Sequence, residues 1–462
     1  MAEAAPPLGH RTRTQGPRCV ARDGLETPLP ADYNVPVESY SSESEYIEAL
    51  RVRSALPLGF RVATKGITFF PRERQIGEPL PMNLSLILLD EPTPDFGAVF
   101  TRNSFPGTPV IIDRERLGHA SIRGILVNNK ISNVCAPNGE RNAVALLDAL
   151  GGLTGAAGAD FFTASTGIIG WDLPAEEMKA ALPGLVAGVS AESMLPVARA
   201  IMTTDAFPKL RSARVGNGTI VGTAKGAGMI EPNMATLLCF LCTDVKVSRE
   251  SLRADLSWCV DRTLNRLSVD SDQSTSDTAI LLSSGRAGPV EREEFRAALL
   301  SVLSGLAFDI IRNAEGIKHA LRVRVESASD EAVALGIAKA IANSPLVKTA
   351  VFGNDPNVGR IVSAIGDYMG NAGLRLDSRR VTVRMGGEEI FGGGCFRLDT
   401  AKEDRLSGYL KGRAFDSRRL PWPQHDRTVD ISVTLDGPSQ AVEVLGSDLS
   451  YDYVKENADY RS

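Results

Sequence analysis

The sequence predicts an α/β (α+β) protein in which antiparallel sheets are sandwiched by helices, and three observations carry that expectation. Residues 83–89 and 97–103 alternate apolar with polar side chains, the period of a half-buried strand, and residues 124–128 form a short apolar run. Leu252, Leu256, Val260 and Leu264 recur every four residues, and Phe295, Leu299, Val302 and Leu306 also share one helical face. Each helix therefore has a single apolar stripe that needs a sheet to cover it. Strands cluster before and between helices instead of alternating with them one for one, which favours antiparallel sheets over a doubly wound parallel sheet. Residues 320–325, 381–385 and 428–435 read as further strands, with Gly386-Gly387 as a hairpin turn, and no internal repeat is visible.

Composition narrows the class. The 462 residues are 43% hydrophobic and 23% charged, enough for two domain-sized layers around a substantial core without help from disulfides. A formal net charge of −5 with interleaved signs argues against nucleic acid, whose binding needs clustered Lys and Arg. No run approaches the roughly 20 apolar residues of a membrane helix, and the first segment lacks a signal-peptide core. Cys19, Cys135, Cys239, Cys242, Cys259 and Cys395 show no framework spacing, so they read as buried thiols in a reducing compartment, and a cytoplasmic protein is expected. Residues 1–45 are rich in Pro, Ala, Gly, Arg and Ser and are expected to form a disordered N-terminal tail. Arg11, Arg13, Arg18 and Arg22 resemble the basic side of a transit peptide, but Pro6, Pro7, Gly9, Gly16 and Pro17 would spoil its helix.

The most informative stretch is Lys225-Gly-Ala-Gly-Met-Ile-Glu-Pro-Asn-Met-Ala-Thr236, which runs straight into the apolar residues 237–245. It reads as a constrained loop feeding a buried strand, a place where backbone strain can be stored. If the Thr236 hydroxyl attacks the preceding carbonyl, the Ala235–Thr236 peptide becomes an ester. Hydrolysis then leaves chains of 235 and 227 residues. The freed α-amine, with a reference pKa of about 7.7–8.0, lies on the same residue as the weakly nucleophilic hydroxyl and serves as its general base. By residue chemistry alone, a Thr opening a strand is more often a plain β-former.

Other patterns point away from chemistry. Cys239-Phe-Leu-Cys242 has redox spacing, but on a strand the two sulfurs face opposite sides, so core packing is expected. His10, His119, His319 and His425 form no ligand set or triad, Lys225-Gly-Ala-Gly lacks P-loop spacing, and no metal or cofactor is expected. Asp270, Asp272 and Asp277 lack the Gly and closing Glu of a calcium loop and read as backbone-capping residues.

The Lys225–Thr236 stretch resembles the self-cleavage motif of the ornithine acetyltransferase family, also called glutamate N-acetyltransferase. The likeness runs in family-like order from about Gly59 to Ser462. It implies an N-terminal-nucleophile-hydrolase-like fold, self-cleaved into two chains: an alpha chain of residues 46–235 and a beta chain of residues 236–462 that begins with the nucleophile Thr236. Ala164-Ser-Thr-Gly-Ile-Ile-Gly170 resembles the oxyanion segment and implies that Thr166 and Gly167 stabilise the tetrahedral intermediate. That role suits donors fixed where negative charge develops.

The same resemblance implies substrate contacts at Thr203, within Met202-Thr-Thr-Asp205 where Thr204 is a close competitor, and at Lys225, Thr236, Glu315, Asn457 and Ser462. Lys225 would pair with a substrate carboxylate and Glu315 with an ammonium group. The implied reaction is ping-pong acetyl transfer from N2-acetylornithine to glutamate without a cofactor, in arginine biosynthesis, by a heterotetramer of alpha and beta chains. The sequence departs from the family at Lys130, where Gly is usual, and at Val358, where Trp is common. Those departures keep a specialised-metabolism acyltransferase, an amidohydrolase and a non-catalytic amino-acid-binding relative open as alternatives.

Overall fold

The computed structural model describes residues 40–231, 237–415 and 427–459, so Ala235, Thr236 and Ser462 lie outside the described residues. The first sheet has four strands in the order Phe60–Phe69, Leu80–Thr93, Ile122–Asn128, Phe161–Ser165. The second has five: Phe96–Phe100, Thr278–Pro289, Leu238–Lys246, Gly218–Lys225, Lys209–Val215. Strict alternation along these strands decides the packing. Val62, Ile87, Ile125 and Phe162 on one face of the first sheet meet Val221, Phe240 and Ile280 on one face of the second, forming a shared core.

The outer faces take helices. Leu84, Leu86 and Leu126 pack against helices Gly139–Thr154 and Ala175–Ala187. Leu241, Ala279 and Leu281 pack against Arg249–Arg262 and Arg292–Ile311, whose two apolar stripes are buried as the spacing predicts. The result is helix, sheet, sheet, helix, with Cys239 and Cys242 on opposite faces of one strand. Burial pushes the Cys239 thiol up to about 12, which leaves it an inert apolar group, whereas Cys135 and Cys395, expected to be buried, are exposed.

A seven-stranded sheet follows, ordered Cys395–Phe396, Glu388–Gly392, Thr382–Met385, Thr428–Thr434, Ala320–Glu326, Val442–Ser447, Leu267–Ser268. One face buries Leu321, Val323, Ile431 and Val444 beneath helices Glu331–Asn343, Pro345–Phe352, Val358–Asn371 and Thr400–Arg413. The other carries half-buried charge, with Arg322 beside Glu443 at 3.6 Å. Val358 lies in that apolar core.

Two expectations change. The sheets are mixed: most neighbours are antiparallel, but each sheet also holds a parallel pair. These are Ile122–Asn128 with Phe161–Ser165, Leu238–Lys246 with Thr278–Pro289, and Ala320–Glu326 with Thr428–Thr434, with a second parallel pair in the seven-stranded sheet, Val442–Ser447 with Leu267–Ser268. In the first two pairs a helix, Gly139–Thr154 or Arg249–Arg262, carries the chain back to the starting edge, and such a crossover makes its strands parallel. Separately, helix Glu43–Arg53, capped by Ser42, starts inside the stretch expected as a tail and buries Tyr46 and Leu50.

Candidate active site

Strand ends from the two stacked sheets converge at one edge. Phe161–Ser165 delivers Thr166, Gly218–Lys225 delivers Lys225, and Lys225 and Thr278 are both in register with Leu238. The buried Thr166 donates its backbone N–H to the Asn128 carbonyl at 3.2 Å. Its Oγ1 accepts from Lys225 Nζ at 3.3 Å. An ammonium only donates, so the Thr166 hydroxyl keeps its own proton for another acceptor.

Gly167 has φ 118°, and a Cβ there would lie 2.1 Å from the Lys130 carbonyl oxygen, so a larger residue is excluded by both conformation and space. Ile168 donates to that same carbonyl at 2.9 Å, whereas the Gly167 N–H has no acceptor among the described residues. A hydroxyl and a backbone N–H thus stand on adjacent residues with their protons uncommitted, the composition of an oxyanion hole. Lys130, the departure noted in sequence, borders this segment through its backbone.

Lys225 is only 5% exposed. Burial lowers its pKa from the usual lysine range and Lys209 adds to the lowering, while Asp205, Glu315 and Asp277 work to raise it. Asp205 accepts from Lys209 Nζ at 2.5 Å and from the Gly226 N–H at 2.8 Å. Burial pulls the Asp205 carboxyl upward, but Lys209, Lys225 and the Gly226 N–H together hold it at about 2.

Glu315 sits against the glycine-rich loop, where a Cβ on Gly228 would come within 2.1 Å of its Oε2. Its N–H donates to the Ala227 carbonyl at 3.0 Å. Thr204 Oγ1 donates to Glu315 Oε1 at 2.8 Å, and Asn457 Nδ2 to Oε2 at 3.1 Å. Asn457 reaches it because helix Tyr451–Asp459 is docked by Ser450, whose hydroxyl donates to the Gly316 carbonyl at 2.5 Å. Thr203 is exposed, and its N–H donates to Asp205 at 3.0 Å; its neighbour Thr204 is the one that meets Glu315.

The Asp-rich stretch proves to be a clamp. Asp270 accepts from the N–H groups of Met229 and Ile230 at 2.6 and 2.7 Å and from Tyr453 Oη at 3.2 Å. Asp277 accepts from the Leu237 N–H at 2.7 Å. One loop therefore holds the chain on both flanks of residues 232–236. Asp277 is fully buried, its Oδ2 has no hydrogen-bond partner among the described residues, and the nearby Thr101 hydroxyl donates to the Ser274 carbonyl at 2.6 Å. Burial pushes this carboxyl well above the ordinary range, against the Leu237 N–H, Thr101 and Lys225. Asp277→Ala is expected to lower stability by about 1–3 kcal/mol by orphaning the Leu237 N–H, read as a lower denaturant midpoint at unchanged slope.

Sequence patterning marks Asp277 as a backbone cap and Asp205 as part of a motif, but it does not show that Asp277 meets Leu237 or that Lys209 meets Asn313, partners 40 and 104 residues apart. The one His–Asp pair in the described residues, His319 Nδ1 with Asp448 Oδ2 at 2.7 Å, is buried, with Nε2 on the Leu410 carbonyl instead of a nucleophile.

Uncommitted donors at Thr166 and Gly167, beside a buried lysine at the edge of stacked sheets, are the parts an acyl transfer uses, and the relatives of this chain place it among the acyltransferases. The ArgJ family model matches residues 75–462. The arginine biosynthesis bifunctional protein ArgJ of Nitratidesulfovibrio vulgaris is 39% identical over 419 residues, covering 88% of this chain and 100% of its own. The glutamate N-acetyltransferase Oat2 of Streptomyces clavuligerus is 38% identical over 364 residues, 79% of this chain and 89% of its own. A crystal structure of ArgJ from Bacillus halodurans is 31% identical with a TM-score of 0.42, covering 48% of this chain and 98% of that one. The chain belongs to the ArgJ family, the ornithine acetyltransferase or glutamate N-acetyltransferase family.

Proposed function

We propose that this protein is a glutamate N-acetyltransferase that cleaves itself between Ala235 and Thr236 and then moves acetyl from N2-acetylornithine to glutamate through Thr236. The observation that carries the proposal is the 3.3 Å bond from Lys225 to Thr166, beside the Gly167 N–H, because it leaves two donors ready for a developing oxyanion. The relatives' names, arginine biosynthesis bifunctional protein and glutamate N-acetyltransferase, support the same substrates.

In this scheme the Thr236 hydroxyl adds to the acetyl carbonyl carbon and passes its proton to its own α-amine. The carbonyl oxygen becomes an oxyanion held by the Thr166 hydroxyl and the Gly167 N–H. The C–N bond then breaks, the α-ammonium returns the proton to the leaving amine, and ornithine departs from an acetyl ester. Glutamate's amine attacks the ester in the reverse sequence and restores the hydroxyl. Lys225 pairs with the substrate carboxylate, while Glu315, with Asn457, Thr203 and Ser462, receives the rest of the amino acid.

Cleavage need not separate the halves. Phe96–Phe100 and Gly218–Lys225 from residues 46–235 are hydrogen-bonded to Thr278–Pro289 and Leu238–Lys246 from residues 236–462 within one sheet. That pairing supports an alpha and beta chain association, with a heterotetramer as the proposed assembly. A cytoplasmic location is proposed as well; no helix among the described residues is long and apolar enough to cross a membrane.

Measuring acetylornithine turnover with and without glutamate tests the reaction. Formation of N-acetylglutamate in step with ornithine release is expected, whereas acetate release unaffected by glutamate would make the protein an amidohydrolase. The lowered pKa of Lys225 adds a pH signature. Its charge is lost below the usual lysine range as pH rises, so KM should climb on that alkaline limb, and Lys225→Arg should move the limb upward.

A further inference from the structure

We propose that the buried Asp205–Lys209 pair is a positioning device that registers the cationic and anionic ends of an amino-acid site; this inference rests on the function proposed above. Asp205 and Lys209 are fully buried at the side chain and lie in the Met202-Thr-Thr-Asp205 and Pro208-Lys209 segments. From that position they touch three stretches far apart in sequence. Asp205 Oδ2 accepts the Thr203 N–H at 3.0 Å, and Oδ1 accepts the Gly226 N–H at 2.8 Å, one residue beyond Lys225. Lys209 Nζ donates to Asn313 Oδ1 at 2.6 Å, two residues before Glu315, and Asn313 Oδ1 also accepts the Ala206 N–H at 3.2 Å.

The loop carrying Thr203 and Thr204 is tied from its other side by Asn129, whose Nδ2 donates to the Met202 carbonyl at 2.8 Å. Thr204 then closes the circuit on Glu315. The segments that present Thr203, Lys225 and Glu315 are thus fastened to one ion pair. Burying such a pair costs desolvation that an apolar pair of similar volume would avoid, so its contribution lies in geometry. The four hydrogen bonds made by Asp205 and Lys209 fix the spacing of Lys225 and Glu315. This spacing suits an amino-acid substrate that turns its carboxylate toward Lys225 and a cationic amine toward Glu315.

The test uses full-length Asp205→Asn and the double variant Asp205→Asn with Lys209→Met, which removes the buried pair without changing the net charge. Both are expected to be processed into two chains. The double variant should melt within about 5 °C of wild type. KM for glutamate should rise at least roughly tenfold with kcat within about threefold, and calorimetric affinity for ornithine and glutamate should fall by the same roughly tenfold factor, worth about 1.4 kcal/mol. A folded double variant with unchanged KM and affinity would overturn the inference, as would a wild-type protein that binds neither amino acid. Wild type that binds both but transfers no acetyl group would instead sink the proposed function and leave the binding comparison decisive.

Discussion

Thr236→Ala is expected to yield one uncut chain of 49.4 kDa on denaturing electrophoresis, where wild type gives two bands of about half that mass. Loss of the hydroxyl removes both the group that attacks the Ala235 carbonyl and the group that carries acetyl. Acetyl transfer should therefore fall by roughly 10³-fold or more, since nucleophile and general base act as a unit on one residue. Thr236→Ser separates the two roles: a primary hydroxyl restores the attack chemistry, so two bands and partial activity should return. A catalytically competent uncut Thr236→Ala protein would remove the nucleophile from the account.

The second large effect is expected at Thr166. Thr166→Val keeps the shape but removes the hydroxyl that Lys225 leaves free to donate. Deleting one oxyanion donor costs about 10²–10³ in kcat, or roughly 2.7–4 kcal/mol, with KM nearly constant because the bond is made to the intermediate and not to the substrate. Thr166→Ser should recover most of that loss. A Val variant with a normal kcat and a raised KM would move Thr166 from the oxyanion hole to ground-state binding.

Much of the fold was legible because burial imposes a period. The strand at Leu80–Thr93 and the helices Arg249–Arg262 and Arg292–Ile311 were visible as alternation and stripes, and Cys239 and Cys242 divide between two cores as strand geometry demands. Strand partners were not legible. Period-two patterning states which face is buried and is silent on the direction of the neighbour, so the parallel pairs went unseen.

The candidate site divides in the same way. Thr166, Gly167, Lys225, Glu315 and Asn457 came from contiguous motifs, and the structure brings Lys225 to Thr166 and Asn457 to Glu315. Asp205, Lys209 and Asn313 act through hydrogen bonds that span up to 104 residues, and Asp277 reaches back 40 residues to Leu237. Such partners have no local signature, because an Asp that caps a distant backbone looks like any turn Asp. Thr204 could be distinguished from Thr203 only by seeing which hydroxyl meets Glu315.

The central claim is that acetyl passes through the residue exposed by the cut. Brief incubation of the active protein with N2-acetylornithine, followed by acid quench, proteolysis and mass spectrometry, locates the intermediate. An acetyl group on the peptide whose first residue is Thr236 is expected, discharged by added glutamate. Full turnover by protein whose backbone is continuous from Ala235 to Thr236, or an acetyl group trapped on a different residue, would contradict it.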